Sequence, residues 1–98
     1  MPVRRLIDAI RDRSVVDLRY DWGHRRVEPH VYGLNKDGHE LLRAFQTGGH
    51  SESKQRFGWK LFRVDEIQTL HVPGERFKGP RRGYNRVDPA ITQIYAQL

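Results

Sequence analysis

Between residues 14 and 46 the side chains change character at every second position, and this periodicity commits the stretch to a sheet. Val16, Leu18 and Tyr20 alternate with Asp17 and Arg19, as they must if successive side chains of a strand point to opposite faces. Asp21-Trp22-Gly23-His24 carries turn chemistry, with Gly23 free to take positive φ. Residues 25–34 resume the alternation. Val27, Pro29 and Val31 fall on one face, and Arg26, Glu28, His30 and Tyr32 on the other. Pro29 has no N–H to give a ladder, so it predicts an edge or a bulge. Asn35-Lys36-Asp37-Gly38 is a hairpin turn. It leads into a strand over roughly 39–46, with Leu42 and Ala44 opposed to Leu41, Arg43 and Phe45.

The segment before the sheet has a different period. Val3, Leu6, Ile7 and Ile10 lie at i, i+3, i+4 and i+7, one apolar stripe on a helix over 3–12. After the third strand, residues 47–57 are polar and Gly-rich without periodicity, which predicts a loop. Gly58 to Phe62 is a short aromatic strand, Val64-Asp65-Glu66 a tight or 3₁₀ turn, and Thr69 to Val72 a last strand ended by Pro73-Gly74. At the end of the chain, Asp88-Pro89 supplies an N-cap and a first-turn proline. Val87, Ile91, Ile94, Tyr95 and Leu98 then follow helical spacing. The prediction is mainly β with flanking helices: a small five-stranded antiparallel barrel of Sm or SH3 type with an N-terminal and a C-terminal helix. Residues 1–75 form the barrel unit, and 76–98 a basic extended segment and a helix that docks on the barrel or on a second subunit.

With 98 residues and no cysteine, the chain fits one domain without a disulfide framework. No stretch approaches a membrane span, and the charged start Met1-Pro2-Val3-Arg4-Arg5 is no signal core. A cytoplasmic setting without membrane contact is the expectation. The net charge is +6. Residues 51–98 hold nine Lys or Arg against five Asp or Glu. Such a surface favours anionic partners, with nucleic acid or a nucleotide foremost.

Several residues could carry that binding. Arg26, His30 and Tyr32, in a row with Glu28 about 7 Å apart, suit phosphate contacts and base stacking, or else form a solvated outer face. Arg43, between Leu41 and Phe45, either snorkels, pairs with Glu28 or awaits an anion. Arg63 pairs with Asp65 or Glu66, or lines a pocket. Lys60 faces away from Trp59 and is a candidate phosphate contact, while Trp59 and Phe62 are expected in the core. Arg81 and Arg82 belong to a segment, 76–86, that also holds Arg76, Lys78 and Arg86 with Phe77 and Tyr84 and no acidic residue. It is either a phosphate-tracking arm or a solvated strap. The five histidines are scattered, and no zinc-site spacing, phosphate-binding loop or nucleophile elbow occurs. Neither an enzyme nor a cofactor is expected. His30 beside Glu28 is the one conceivable acid–base pair.

Three runs together resemble the opening of bacterial WYL domains: Leu6-Ile7-Asp8-Ala9-Ile10, Val16-Asp17-Leu18-Arg19-Tyr20 and Arg26-Val27-Glu28-Pro29-His30. Phe62-Arg63-Val64-Asp65-Glu66-Ile67 resembles a later segment of the same family. The likeness spans roughly residues 5–77. The naming Trp-Tyr-Leu triplet falls at Glu40-Leu41-Leu42, where only the leucine is kept. The resemblance implies a divergent, stand-alone Sm-like barrel that senses a nucleic acid, a nucleotide or another anion in transcription regulation, with a cation near Arg43 on the ligand. The alternative is a protein–protein or homo-oligomer module, motivated by a last helix that needs a surface to dock on.

Overall fold

A computed structural model describes residues 2–98. In chain order the elements are α1 (Arg4–Asp12), β1 (Val16–Tyr20), β2 (Gly23–Leu34), β3 (Glu40–Gly49), β4 (Gly58–Arg63), a 3₁₀ turn (Val64–Glu66), β5 (Thr69–His71) and β6 (Gln93–Gln97). All pairings are antiparallel. The sheet runs β4-β3-β2-β1-β5, with β6 added on β2. It is open, with β4 and β5 at its ends, and the closed barrel of the sequence reading does not appear.

The twelve residues of β2 organise everything else. Its first half pairs with β1 and its second half with β6, while β3 accompanies both. A strand of this length has to bend to serve three neighbours, and it does so at bulges. The register against β3 shifts between Arg26 and Val27 and again between Pro29 and Val31. His30 is the extra residue of the second bulge. One inserted residue reverses the facing of all that follow. Val27 and Tyr32 therefore both enter the core, although they differ in parity. Val31 turns to the other side, where it packs with Leu41 and Ile91. The expected row Arg26-Glu28-His30-Tyr32 is thus broken: Tyr32 is fully buried.

One face of the sheet carries the main core, formed by Val16, Leu18, Val27, Tyr32, Leu42, Ala44 and Phe62 under Leu6, Ala9 and Ile10 of α1. Tyr32 ties these layers together. Its hydroxyl accepts the Val3 N–H at 2.7 Å and donates to Glu40. Burial first, and the Glu40 hydrogen bond second, push its phenol well above the ordinary range.

The C-terminal helix expected over 88–98 is a strand. β6 pairs Val31–Leu34 of β2 through Gln93–Gln97, and Tyr95 meets the Tyr32 ring at 5.2 Å. Two members of the expected stripe, Val87 and Ile94, are exposed. A ten-residue helix is marginal in water, whereas the second half of β2 offers backbone groups that need partners. The non-local ladder therefore prevails over the local period.

The Tyr20–Gly23 connection is a two-residue hairpin loop. Asp21 and Trp22 both have positive φ, at 52° and 62°, as a type I′ turn demands. Left-handed backbone costs an L-residue roughly 1–2 kcal/mol, and glycine is the usual occupant of the position Trp22 holds.

Candidate nucleic-acid interface

On the face opposite α1, the segment that follows β5 crosses β2, β3 and β4 and is fastened at each. It starts beside α1, where Ser14 bridges Arg76 and the Phe77 N–H donates to the Arg13 carbonyl at 2.9 Å. At Arg81 it meets β2. The guanidinium donates to both oxygens of Glu28, at 2.7 and 3.0 Å, and lies over the Phe45 ring at 4.7 Å. The Arg81 N–H donates to His30 Nε2 at 3.0 Å. Farther on, the Trp59 indole donates to the Arg82 carbonyl at 3.1 Å. Arg43 then donates to both oxygens of Asp88, at 2.7 and 3.4 Å.

His30 sits at the centre of this seam and is fully buried. Trp59, Phe77 and Tyr84 surround its ring at centroid distances of 4.7, 5.7 and 5.1 Å. Its Nδ1–H donates to the Glu28 carbonyl at 2.8 Å, so Nε2 is left to accept from Arg81, and the two bonds together fix one neutral tautomer. Burial holds its pKa below the ordinary value; the Glu28 carbonyl and charge act the other way.

The eight residues singled out from the sequence do not form one site. Arg26 donates to both oxygens of Asp17, at 2.9 and 3.0 Å, and lies 3.3 Å from Glu75. That hydrogen bond, outweighing burial, lowers the Asp17 pKa. Arg43 does not pair with Glu28; it holds Asp88. Burial raises the Asp88 pKa, but the Arg43 hydrogen bond, the Ala90 N–H and the Arg43 charge outweigh it and leave it lowered. Arg63 is bound to Asp65 at 2.7 and 3.2 Å, the structural option of its two. Arg81 is taken by Glu28. Tyr32 is in the core. Lys60 faces the α1 side, opposite Ala44, and its ammonium donates to Ser51 and Ser53 at 3.0 and 3.2 Å. Burial, and then the Arg25 charge, lower its pKa. Of the expected pair, Phe62 is core, but Trp59 is on the arm side.

Arg82 remains, together with Arg76 and Lys78 of the same segment. Arg76, Lys78 and Arg82 are exposed, and no carboxylate lies within 4 Å of any of them among the described residues. Beside Arg82, a cleft of about 250 Å³ is lined by Trp59 and Tyr84 together with Arg43, Gly83, Asn85, Asp88 and Pro89. The two rings lie 6.3 Å apart and within 23° of parallel. A second cleft, of about 600 Å³, is bordered by Arg76, Lys78 and Arg81 with Phe77 and Pro80, and by Glu28, whose carboxylate is engaged by Arg81. Cations along a strap with aromatic rings between them can hold phosphates and stack bases. Among the described residues no three His, Asp or Glu converge as a metal site, and no helix is long and apolar enough to cross a membrane. No known protein family, curated protein or solved structure matches this chain.

Proposed function

We propose that this domain binds single-stranded nucleic acid, or a nucleotide-like anion, along the strap formed by residues 76–86. An asymmetry within that strap carries the reading. Arg81 is consumed internally by Glu28 and fixes the backbone, while Arg76, Lys78 and Arg82 stand in solvent with no carboxylate within 4 Å among the described residues. Cations that are already immobilised at the backbone but uncompensated in charge are suited to release counterions from a phosphate chain. The Trp59–Tyr84 cleft beside Arg82 offers one base a ring to lie on.

The resemblance to WYL domains supports the same class of ligand and a regulatory, cytoplasmic, non-enzymatic role. It points, however, to the neighbourhood of Arg43, which here holds Asp88. The strap therefore takes the place of Arg26, His30, Tyr32, Arg43 and Arg63 as the contact surface. The homo-oligomer alternative drew on an undocked C-terminal helix; β6 is paired within the chain, so that motive lapses.

Titration of a labelled oligo(dT) or poly(U) strand at low salt tests the proposal. Binding that weakens steeply with salt, and again on combined Arg76→Ala, Lys78→Ala and Arg82→Ala exchange, is the expected result. Equal affinity in wild type and triple variant would remove the strap from the interface.

A further inference from the structure

Trp22 has no structural occupation that accounts for it. It is 82% exposed, at the tip of the β1–β2 hairpin, and its backbone is left-handed. The neighbouring contact that fixes the turn uses its main chain: the Trp22 N–H donates to the Gln68 side chain at 3.0 Å. Glycine would make the same bond without strain, and the indole shields no core. A large ring kept in water on unfavourable backbone is best explained by what it meets outside the chain.

The strands behind the tip say what that is. Val16, Leu18 and Tyr20 of β1 face α1, so Asp17 and Arg19 face outward. Arg19 pairs with His24 and Thr69, and Asp17 with Arg26 and His71. Arg19, His24, Thr69 and His71 are all exposed, and the strap leaves this half of the sheet uncovered. Leading away from Trp22, this face presents His24, Arg19 and Thr69 side by side, then Arg26, Asp17 and His71, and beyond them Glu75, 3.3 Å from Arg26 and followed in the chain by Arg76, which is bridged to Ser14. Steps of two residues along a strand are about 7 Å. Arg19 and Arg76 have no carboxylate within 4 Å among the described residues, while Arg26 is shared between Asp17 and Glu75. The acidic groups next to the tip are engaged as well: Asp21 lies 3.3 Å from Arg25, and Glu66 accepts the Tyr20 hydroxyl. An exposed ring at the end of a hydrogen-bonding sheet face, on which Asp17 and Glu75 match Arg26 and only Arg19 keeps an uncompensated charge among the described residues, fits an unpaired nucleobase whose phosphates pass Arg19 toward Arg76.

We infer that Trp22 is a stacking contact for a base of a single strand that runs from the hairpin tip over the outer face of β1, β2 and β5 onto the strap. This rests on the strap reading and extends it to a second half of the molecule.

The test compares wild type, Trp22→Gly, Trp22→Phe and the strap triple variant for binding to labelled poly(U), with Tm measured in parallel. Trp22→Gly is expected to bind about tenfold more weakly, the loss of one stacked base. Its salt dependence should be unchanged, because no charge is removed, and its Tm should rise by about 5 °C from relief of the left-handed tryptophan. Trp22→Phe should keep part of the affinity. Wild-type affinity in Trp22→Gly, with the triple variant impaired, overturns the Trp22 contact and spares the strap. The converse pattern overturns the strap and spares Trp22, and no binding by wild type overturns both. A fall in Tm for Trp22→Gly would make Trp22 a packing residue. Trp22-dependent capture by phosphatidylserine vesicles, without strand binding, would assign the ring to a membrane surface instead.

Discussion

His30 Nε2 accepts the backbone N–H of Arg81 at 3.0 Å, and Glu28, two residues earlier on the same strand, takes the Arg81 side chain at 2.7 and 3.0 Å. One residue of the strap is thus held at main chain and side chain by one bulged stretch of β2. The strap is a built part of the fold, and its free cations owe their fixed positions to this clamp.

The imidazole makes the clamp sensitive to acid. Folding lowers the His30 pKa, chiefly by burial, so below about pH 6.5 the unfolded chain binds the proton more readily. Stability is therefore full above that pH and declines as pH falls toward the folded value. A protonated Nε2 can no longer accept from Arg81. Thermal melts from pH 7.5 to 5 should show this decline, and His30→Gln should flatten it. An NMR titration placing His30 at or above the ordinary histidine value would contradict the buried neutral tautomer.

Removal of the arginine strands a carboxylate that is 9% exposed. Arg81→Ala should cost on the order of 2 kcal/mol, less than a wholly buried pair because Arg81 itself is partly solvated. That corresponds to a Tm lower by about 10 °C. Adding Glu28→Gln should recover part of the loss, since the charge that lacks a partner is gone. Denaturant unfolding of the two single variants and the double variant measures this coupling. Strictly additive losses would mean that the pair contributes nothing as a pair.

The Tyr32 hydroxyl is expected to matter for folding and not for ligand. Tyr32→Phe leaves the Val3 N–H without its acceptor and Glu40 without its donor, a loss of about 1–2 kcal/mol. Strand affinity should be unchanged, as the ring lies beneath the sheet. A selective loss of binding with normal stability would return Tyr32 to the interface.

What the sequence disclosed, and what it hid, follows from how far each signal reaches. The 34–40 hairpin is written locally: Asn35 accepts the Asp37 and His39 N–H groups, and Gly38 takes positive φ. Pro29 left an edge or a bulge open and gave no sign that His30 would be the inserted residue, and that single insertion moved Tyr32 inward. The basicity of 76–86 was legible as composition. Which of its cations would be neutralised was not, because Glu28 lies 53 positions from Arg81 and Asp88 lies 45 from Arg43. β6 was hidden for the same reason: its helical spacing is local, and its partner is the second half of β2. Trp22 passed as one letter of a turn, since exposure and left-handed backbone exist only once the hairpin is closed.

The docking of β6 depends on a residue without a side chain. A Cβ on Gly33 would lie 2.0 Å from the Gln93 carbonyl oxygen and 2.8 Å from Ile91 Cγ2. Gly33→Ala therefore has to push β6 off β2, because the nearest obstacle is backbone. Hydrogen exchange should accelerate at the β6 amides and at Thr92, which donates to Leu34, while β1 and β5 stay protected. Uniform acceleration across all strands would show instead that β6 and the rest of the sheet open as one unit.

The strap cations carry a prediction about slope as well as affinity. For a single strand, log Kobs falls with log salt at about 0.7 per phosphate neutralised. If Arg76, Lys78 and Arg82 each neutralise one phosphate, every alanine exchange should make the slope shallower by about 0.7 and weaken binding at low salt more than at high salt. Arg63→Ala is the matched control: its guanidinium is held by Asp65, so it should leave the slope as it is. The measurement is the affinity for poly(U) across a salt series for each single variant. A slope that responds to Arg63→Ala and ignores Arg82→Ala would place the phosphates at the end of β4 and away from the strap.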